Sequence, residues 1–226
     1  MGRRRSPRAS DEREVYALAA APLPGRIRAG GFLLSAHSVG RIAIITGPPR
    51  GARFSIEEAL RRQHAIVLAL AEQIDPLLPA RFGSRATAAR LEALLAPSAG
   101  AVLKALDHVR GGQQMTLRLL GPSPRSKHPP PRSTTGTAYL SGRYAATRVI
   151  PPEMAPLEAA VLRFVVDMRI QPGRGSIRTT VFHLVRRGDV SRYRIAVESA
   201  IPAIAPWRVA VSGPWPPFAF APELTT

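Results

Sequence analysis

Enzymatic and metal chemistry needs histidines, thiolates or carboxylates at spacings that let them converge, and this chain offers few such spacings. Its five histidines are His37, His64, His108, His128 and His183. None stands three or four residues from another His, Asp or Glu, the separation that sets two ligands on one helix face. The absence of cysteine excludes thiolate metal sites, zinc fingers, disulfides and cysteine nucleophiles, and fits a reducing compartment. Gly-x-Ser-x-Gly, Walker A and Gly-x-Gly-x-x-Gly patterns are missing. Gly173-Arg174-Gly175 is a turn carrying a cation, since no Lys-Ser/Thr pair follows it to hold a phosphate. The reading is of histidines satisfied within the fold, with no catalytic residue, cofactor or metal to assign.

Cations are abundant. The chain holds 32 Lys and Arg against 15 Asp and Glu, a formal net charge of +17. Only Lys104 and Lys127 are lysines; that bias, with the wealth of Ala, Gly and Pro, fits a GC-rich coding sequence as well as it fits an anionic partner. Arg169, Arg174, Arg178, Arg186, Arg187, Arg192 and Arg194 make the second half the more basic, and on one face they would attract nucleic acid or an acidic protein. Arg81, between apolar Leu78 and Phe82, is expected to be partly buried and paired with Glu57, Glu58 or Glu72.

The elements that must position these groups are those of an α+β protein of two domains, with enough apolar material, 45% of 226 residues, for two small cores. Residues 1–13 form a frayed, disordered basic tail without the apolar run of a secretory signal. Apolar runs are far short of the ~20 residues that span a bilayer. Residues 14–112 read as a first domain. Glu14 to Ala20 is a strand; Gly31 to Ala36 and Arg41 to Thr46 form a hairpin. Ser55 three residues before Glu58 is a capping box, opening a helix to Ile74. Leu77 to Phe82 is a short extended piece, and helical spacing from Thr87 is broken by Pro97 before a second helix, Ala99 to Val109.

Residues 113–212 read as a second domain with a Pro-rich, disordered insertion at 122–135. Gln114 to Leu120 is a strand with Met115, Leu117 and Leu119 on one face, Leu157 to Met168 a helix, Ile177 to Val185 a strand, Asp189 to Ser199 a helix and Trp207 to Ser212 a strand. The order strand, helix, strand, helix, strand approaches a split βαβ, ferredoxin-like domain lacking one strand.

Residues 213–226 form a tail. Gly213-Pro214-Trp215-Pro216-Pro217-Phe218-Ala219-Phe220 cannot be an interior strand or helix, because proline fixes φ and deletes amide donors; it reads as stiff and extended. Trp215, Phe218 and Phe220 need a surface, which is either the chain's own body, the favoured reading, or a partner.

This ending resembles that of the gas vesicle protein F/L family, where Gly-Pro-Trp-Pro-Pro-Tyr-Ser-Phe follows the last strand; Phe218 and Ala219 replace the Tyr and Ser. His64 within its helix, followed by Leu78-Pro79-Ala80-Arg81-Phe82-Gly83, is similar to the family's helical His and Leu-Pro-x-Arg-Phe-Gly segment. Gly136 to Arg143, with Tyr139 and Leu140, looks like its Gly-x-x-Tyr-Leu segment. The resemblance runs from about Val15 to Phe220. The Pro-rich insertion and the strong basicity depart from the family.

The resemblance implies a ferredoxin-like second domain, a tail packed on the body, and an accessory protein of gas vesicle assembly that binds the small hydrophobic shell protein and other accessory proteins in the cytoplasm and at the vesicle. It implies no catalysis and no cofactor. Its interaction or packing residues are Trp215, Pro216, Pro217, Phe218 and Phe220, and its structural motif residues His64, Pro79, Arg81, Phe82, Gly83, Tyr139 and Leu140. A basic nucleic-acid-binding module is the alternative. It is disfavoured by 6% aromatic content and the lack of a Lys/Arg-Gly-Phe/Tyr-Gly/Ala-Phe stacking pattern.

Overall fold

A computed structural model describes residues 12–48, 55–121 and 150–222. The chain forms two compact units, one of residues up to Gly111 together with those from Pro216 onward, the other Gly112–Trp215. The basic start and the Pro-rich segment, with Tyr139 and Leu140, lie outside the described residues.

The first unit is built on a six-stranded sheet of β1 (Arg13–Ala20), β2 (Arg26–Ala29), β3 (Phe32–Val39), β4 (Ile42–Gly47), β5 (Leu77–Pro79) and β6 (Arg85–Ala86). Its order is β2-β3-β4-β1-β5, with β6 also paired to β1, and every pairing is antiparallel. Strand β2 was not legible: RIRA alternates exposed arginine with buried Ile and Ala, but over four residues only, too short a run for periodicity to stand out. It pairs with β3 through Gly30 and Gly31, whose φ values of 55° and 81° meet the double left-handed requirement of a two-residue hairpin turn.

Strands β1 and β4 are buried along nearly their whole length, which requires cover on both faces. Helix α1 (Ile56–Gln73) packs Ile66, Val67 and Leu70 with Ala17, Ala19 and Ile45 in one cluster. Leu18, Ile42 and Ile44 are equally buried on the alternate positions, and helix α2 (Ala88–Val109) contacts β1, β4 and β5.

The capping box that opens α1 is complete: the Glu58 amide donates to Ser55 Oγ at 3.2 Å, and the Ser55 amide to Glu58 Oε2 at 2.8 Å. The Ser55 amide, and then the Ser55 hydroxyl, hold the Glu58 carboxyl below its ordinary value. Ser55→Ala removes one half of the box and is expected to lower stability by about 1 kcal/mol in a denaturant titration.

Pro97 does not break the second helix. One helix runs from Ala88 to Val109 through it, because Leu91, Leu95, Val102, Leu106 and Val109 keep a single buried stripe in phase on either side. That burial outweighs the lost amide donor. The carboxylate of Asp75 accepts the Gly111 amide at 3.0 Å, tying the end of α2 to the turn after α1.

The second unit is a four-stranded antiparallel sheet, β7 (Gly112–Leu120), β8 (Val165–Pro172), β9 (Ile177–Arg186) and β10 (Arg208–Trp215), in the order β10-β7-β9-β8. Met115, Leu117 and Leu119 share one core with Val181 and Val185, with Leu157 and Val161 of helix α3 (Ala155–Val161) and with Tyr193 and Val197 of helix α4 (Val190–Ala200). The expected helix Leu157 to Met168 is corrected: α3 stops at Val161, Leu162–Phe164 is a 3-10 turn, and β8 begins at Val165. The spacing of Leu157, Val161 and Leu162 is helical, but β-branched Val165 pairs with Val185 of β9 instead, and Val166 falls at a bulge before the pairing resumes at Asp167.

The tail is also not uniformly extended. Gly213, Pro214 and Trp215 complete β10 at the sheet edge, where proline is tolerated, with an irregularity between Ser212 and Trp215. Gly213 has φ 115°, and a Cβ there would stand 2.6 Å from the Gln114 carbonyl oxygen, so no larger residue fits. Phe218–Phe220 form a 3-10 turn.

Candidate functional site

The motif residues of the first unit converge midway along α1. Gln63 Nε2 donates to the Ala80 carbonyl at 3.2 Å, and the Ala80 amide donates to Tyr16 O at 2.9 Å, so the Leu78-to-Gly83 segment is held between α1 and β1. Pro79 is buried in β5 opposite Ala17, on an edge strand. The chain then turns outward, the Ser84 amide bonding Arg81 O and Gly83 adopting φ 79°. Arg81 is therefore exposed, not partly buried. Of its expected partners, Glu57 pairs with Arg61 and Glu58 closes the capping box.

The next residue of α1, His64, stacks on Phe218 with ring centroids 6.3 Å apart and planes 19° from parallel. Pro216, Pro217 and Phe220 are buried in this unit, whereas Phe218 is 36% exposed. Trp215 belongs to the other unit, half-buried in β10 with its indole N–H donating to Ser212 Oγ at 3.4 Å.

Two turns of α1 continue outward from His64. Leu60 and Ile56 stand four and eight residues earlier, 50% and 76% exposed, on a stripe beside the helix's buried one. Phe218, stacked on His64, thus stands next along the helix from Leu60 and Ile56, and all three keep part of their apolar surface exposed. Phe82, 39% exposed, lies two residues beyond the Ala80 that Gln63 holds. Leu60 and Val67 are both apolar residues at helical spacing, and only the packing of α1 separates the exposed one from the buried one.

Behind this corner sits a buried polar pair that the sequence did not reveal. The Tyr16 hydroxyl donates to Glu14 Oε2 at 3.1 Å, both residues being buried. Burial, then the Glu14 charge, pushes the Tyr16 hydroxyl up to about 12, the Arg62 guanidinium partly offsetting them. Arg62 also lies over the Phe32 ring at 4.1 Å.

In the second unit Glu158, His183 and Tyr193 form a line. His183 Nδ1 shares a 2.8 Å hydrogen bond with the Tyr193 hydroxyl, and its Nε2 lies 3.1 Å from Glu158 Oε2. The order carboxylate, imidazole, hydroxyl is that of a proton relay. However, His183 and Tyr193 are fully buried, and burial followed by the Glu158 charge drives the tyrosine further from ionisation. His183 Nε2 makes no hydrogen bond among the described residues despite its closeness to Glu158, so what the line provides is a buried hydrogen bond tying β9 to α4. Of the other histidines, His37 is half-buried on β3, His108 exposed in the last turn of α2, and His128 outside the described residues.

Several arginines of this unit are engaged within it: Arg169 pairs with Asp167, Arg178 with Glu153 and the Trp207 ring, Arg192 with Asp189, and Arg194 donates to the Gly213 carbonyl. Among the described residues no three His, Asp or Glu gather as metal ligands, and no helix is long and apolar enough to cross a membrane.

Together these features define an α+β protein of antiparallel sheets whose exposed motif residues include the aromatic Phe82 and Phe218 and the cation Arg81. Two solved structures share that fold: the gas vesicle protein GvpF from Anabaena sp. PCC7120, at a TM-score of 0.69 and 12% identity over 95% of this chain and 99% of that one, and GvpF from Microcystis aeruginosa, at 0.69 and 12% over 94% and 100%. No curated protein matches in sequence. The family model described as gas vesicle synthesis protein GvpL/GvpF matches residues 15–222. The chain belongs to that family.

Proposed function

We propose that this protein is an accessory factor of gas vesicle assembly, acting by contact and not by catalysis, that binds the small hydrophobic shell protein through the apolar corner of its first unit. The observation that carries the reading is the stripe of Ile56, Leu60 and Phe218, large apolar side chains left in water beside a buried aromatic tail. Exposed apolar patches of this kind mark contact surfaces. A shell protein rich in apolar surface is the partner such a stripe fits, and membership of a gas vesicle family supplies the context. We place it in the cytoplasm and at the vesicle, with other accessory proteins as further partners.

The second unit supports a ferredoxin-like, split βαβ description. Its sheet order places the first and third of its strands centrally, and a helix follows each of them in sequence. The missing strand of the sequence pattern is β8. The engagement of Arg169, Arg178 and Arg192 with carboxylates leaves less free positive charge for phosphates and weighs against the nucleic-acid alternative.

The test is co-expression with the shell protein and affinity purification after nuclease treatment in high salt, which suppresses arginine–phosphate attraction and leaves apolar contacts. Retention of the shell protein is expected. Its loss in high salt, with nucleic acid carried by the untreated sample, would overturn the proposal.

A further inference from the structure

A groove of about 620 Å³ runs between α3 and α4 on the outside of the second unit. Small residues line it: Ala160 and Ala196, half-buried over the core, with exposed Ala159 and Ser199 beside them. Ile195 forms a wall and is 63% exposed. At one end stand two guanidiniums, Arg163 and Arg192, against one carboxylate, Asp189. Arg192 pairs with Asp189 at 3.4 Å, and Arg163 lies 4.7 Å above the Phe164 ring, so that end keeps a surplus positive charge.

This is a different surface from the apolar corner, on the other unit, and it asks for a different partner. Alanine and serine leave room for another backbone to come close, so a third helix could seat its side chains between α3 and α4 at ordinary helix-packing distance. Ile195 is the apolar contact it would cover, and the paired guanidiniums would accept a carboxylate from its end. A small molecule fits poorly, since the groove is open to solvent and could not bury most of a ligand. Nucleic acid also fits poorly. Phe164, the aromatic residue of the groove, is buried and covered by Arg163, so it offers no face for a base to stack on.

From this combination we infer that the α3–α4 groove docks an amphipathic helix of a partner protein, apolar face down, with an acidic residue of that helix set against Arg163 and Arg192. The inference does not depend on shell binding by the first unit.

The probe is a fluorescently labelled, stapled helix of about four turns with leucines at i, i+3, i+4 and i+7 and two glutamates at one end. Its anisotropy is titrated with the full chain. The wild type should bind it, Ser199→Ala should leave affinity unchanged, and Ser199→Trp, which fills the groove from an exposed helix position, should weaken binding at least about tenfold. The Arg163→Glu/Arg192→Glu double variant should lose the glutamate helix and gain the same helix carrying lysines instead. Circular dichroism establishes that each variant is folded. Absence of wild-type binding, indifference to Ser199→Trp, double-variant loss of both helices alike, or displacement of the probe by a single-stranded oligonucleotide at equal concentration would each overturn the inference.

Discussion

Replacing Phe220 with alanine is expected to destabilise the protein by about 3 kcal/mol, whereas the same change at Phe218, two residues earlier, costs well under ~1 kcal/mol. The two rings belong to one 3-10 turn, but Phe220 is buried and Phe218 stands out of the surface against His64. A deeply buried phenylalanine forfeits its transfer free energy and leaves a cavity, and about 3 kcal/mol is the lower end of the usual range for Phe→Ala. Pro216 and Pro217 precede it, buried, with φ already fixed, so anchoring this stretch sacrifices little backbone freedom. Guanidinium titrations of the two variants measure the difference. Equal losses at both positions would show that the tail is not anchored by Phe220.

The second large effect is alkaline. Tyr16 holds its proton to about 12 in the fold, against 10.0 for an ordinary tyrosine, chiefly through burial and then through Glu14. A group whose pKa is raised by folding contributes fully below its unfolded value and loses that contribution as pH climbs toward the folded one. Stability should therefore be level up to about pH 10 and fall between pH 10 and 12, by roughly 1.4 kcal/mol per unit from Tyr16 alone. Tyr193 shifts in the same direction, again by burial first and then Glu158, and steepens the fall. The window is clean because the chain has two lysines, so few other side chains titrate there. Denaturant midpoints at pH 9 and pH 11, for the wild type and Tyr16→Phe, measure it. The phenylalanine variant should show the shallower decline, and equal slopes would remove Tyr16 as a cause.

How much of this could be read from the sequence depends on where a residue's environment is set. Ser55 with Glu58 marked the start of α1 because a capping box is local chemistry. Strand β7 was legible because one of its faces is wholly apolar and period-two alternation survives. Pro97 misleads because a local rule is outweighed by a buried stripe that runs from Leu91 to Val109. Strand β8 was taken into a helix for the opposite reason: its apolar residues continue helical spacing from α3, and only pairing with β9 separates them.

At the candidate site, His64, the Leu78-to-Gly83 segment and the tail were found through a family likeness, and Gln63, whose amide joins two of them, was not. An amide aimed at a backbone carbonyl 17 positions away leaves no trace in spacing. The exposure of Leu60 and Ile56 was equally hidden, since an apolar residue on an amphipathic helix reads as core until the helix is docked.

The central claim is that the apolar corner is where the shell protein sits, and photo-crosslinking tests it most directly. A benzophenone side chain is placed at Leu60, at Phe218 and, as a control, at the exposed Arg110 that follows α2. Each variant is co-expressed with the shell protein and irradiated. The account predicts crosslinks to the shell protein from positions 60 and 218 and none from 110. Crosslinking that is absent from both corner positions, or as strong at 110 as at either, would contradict it.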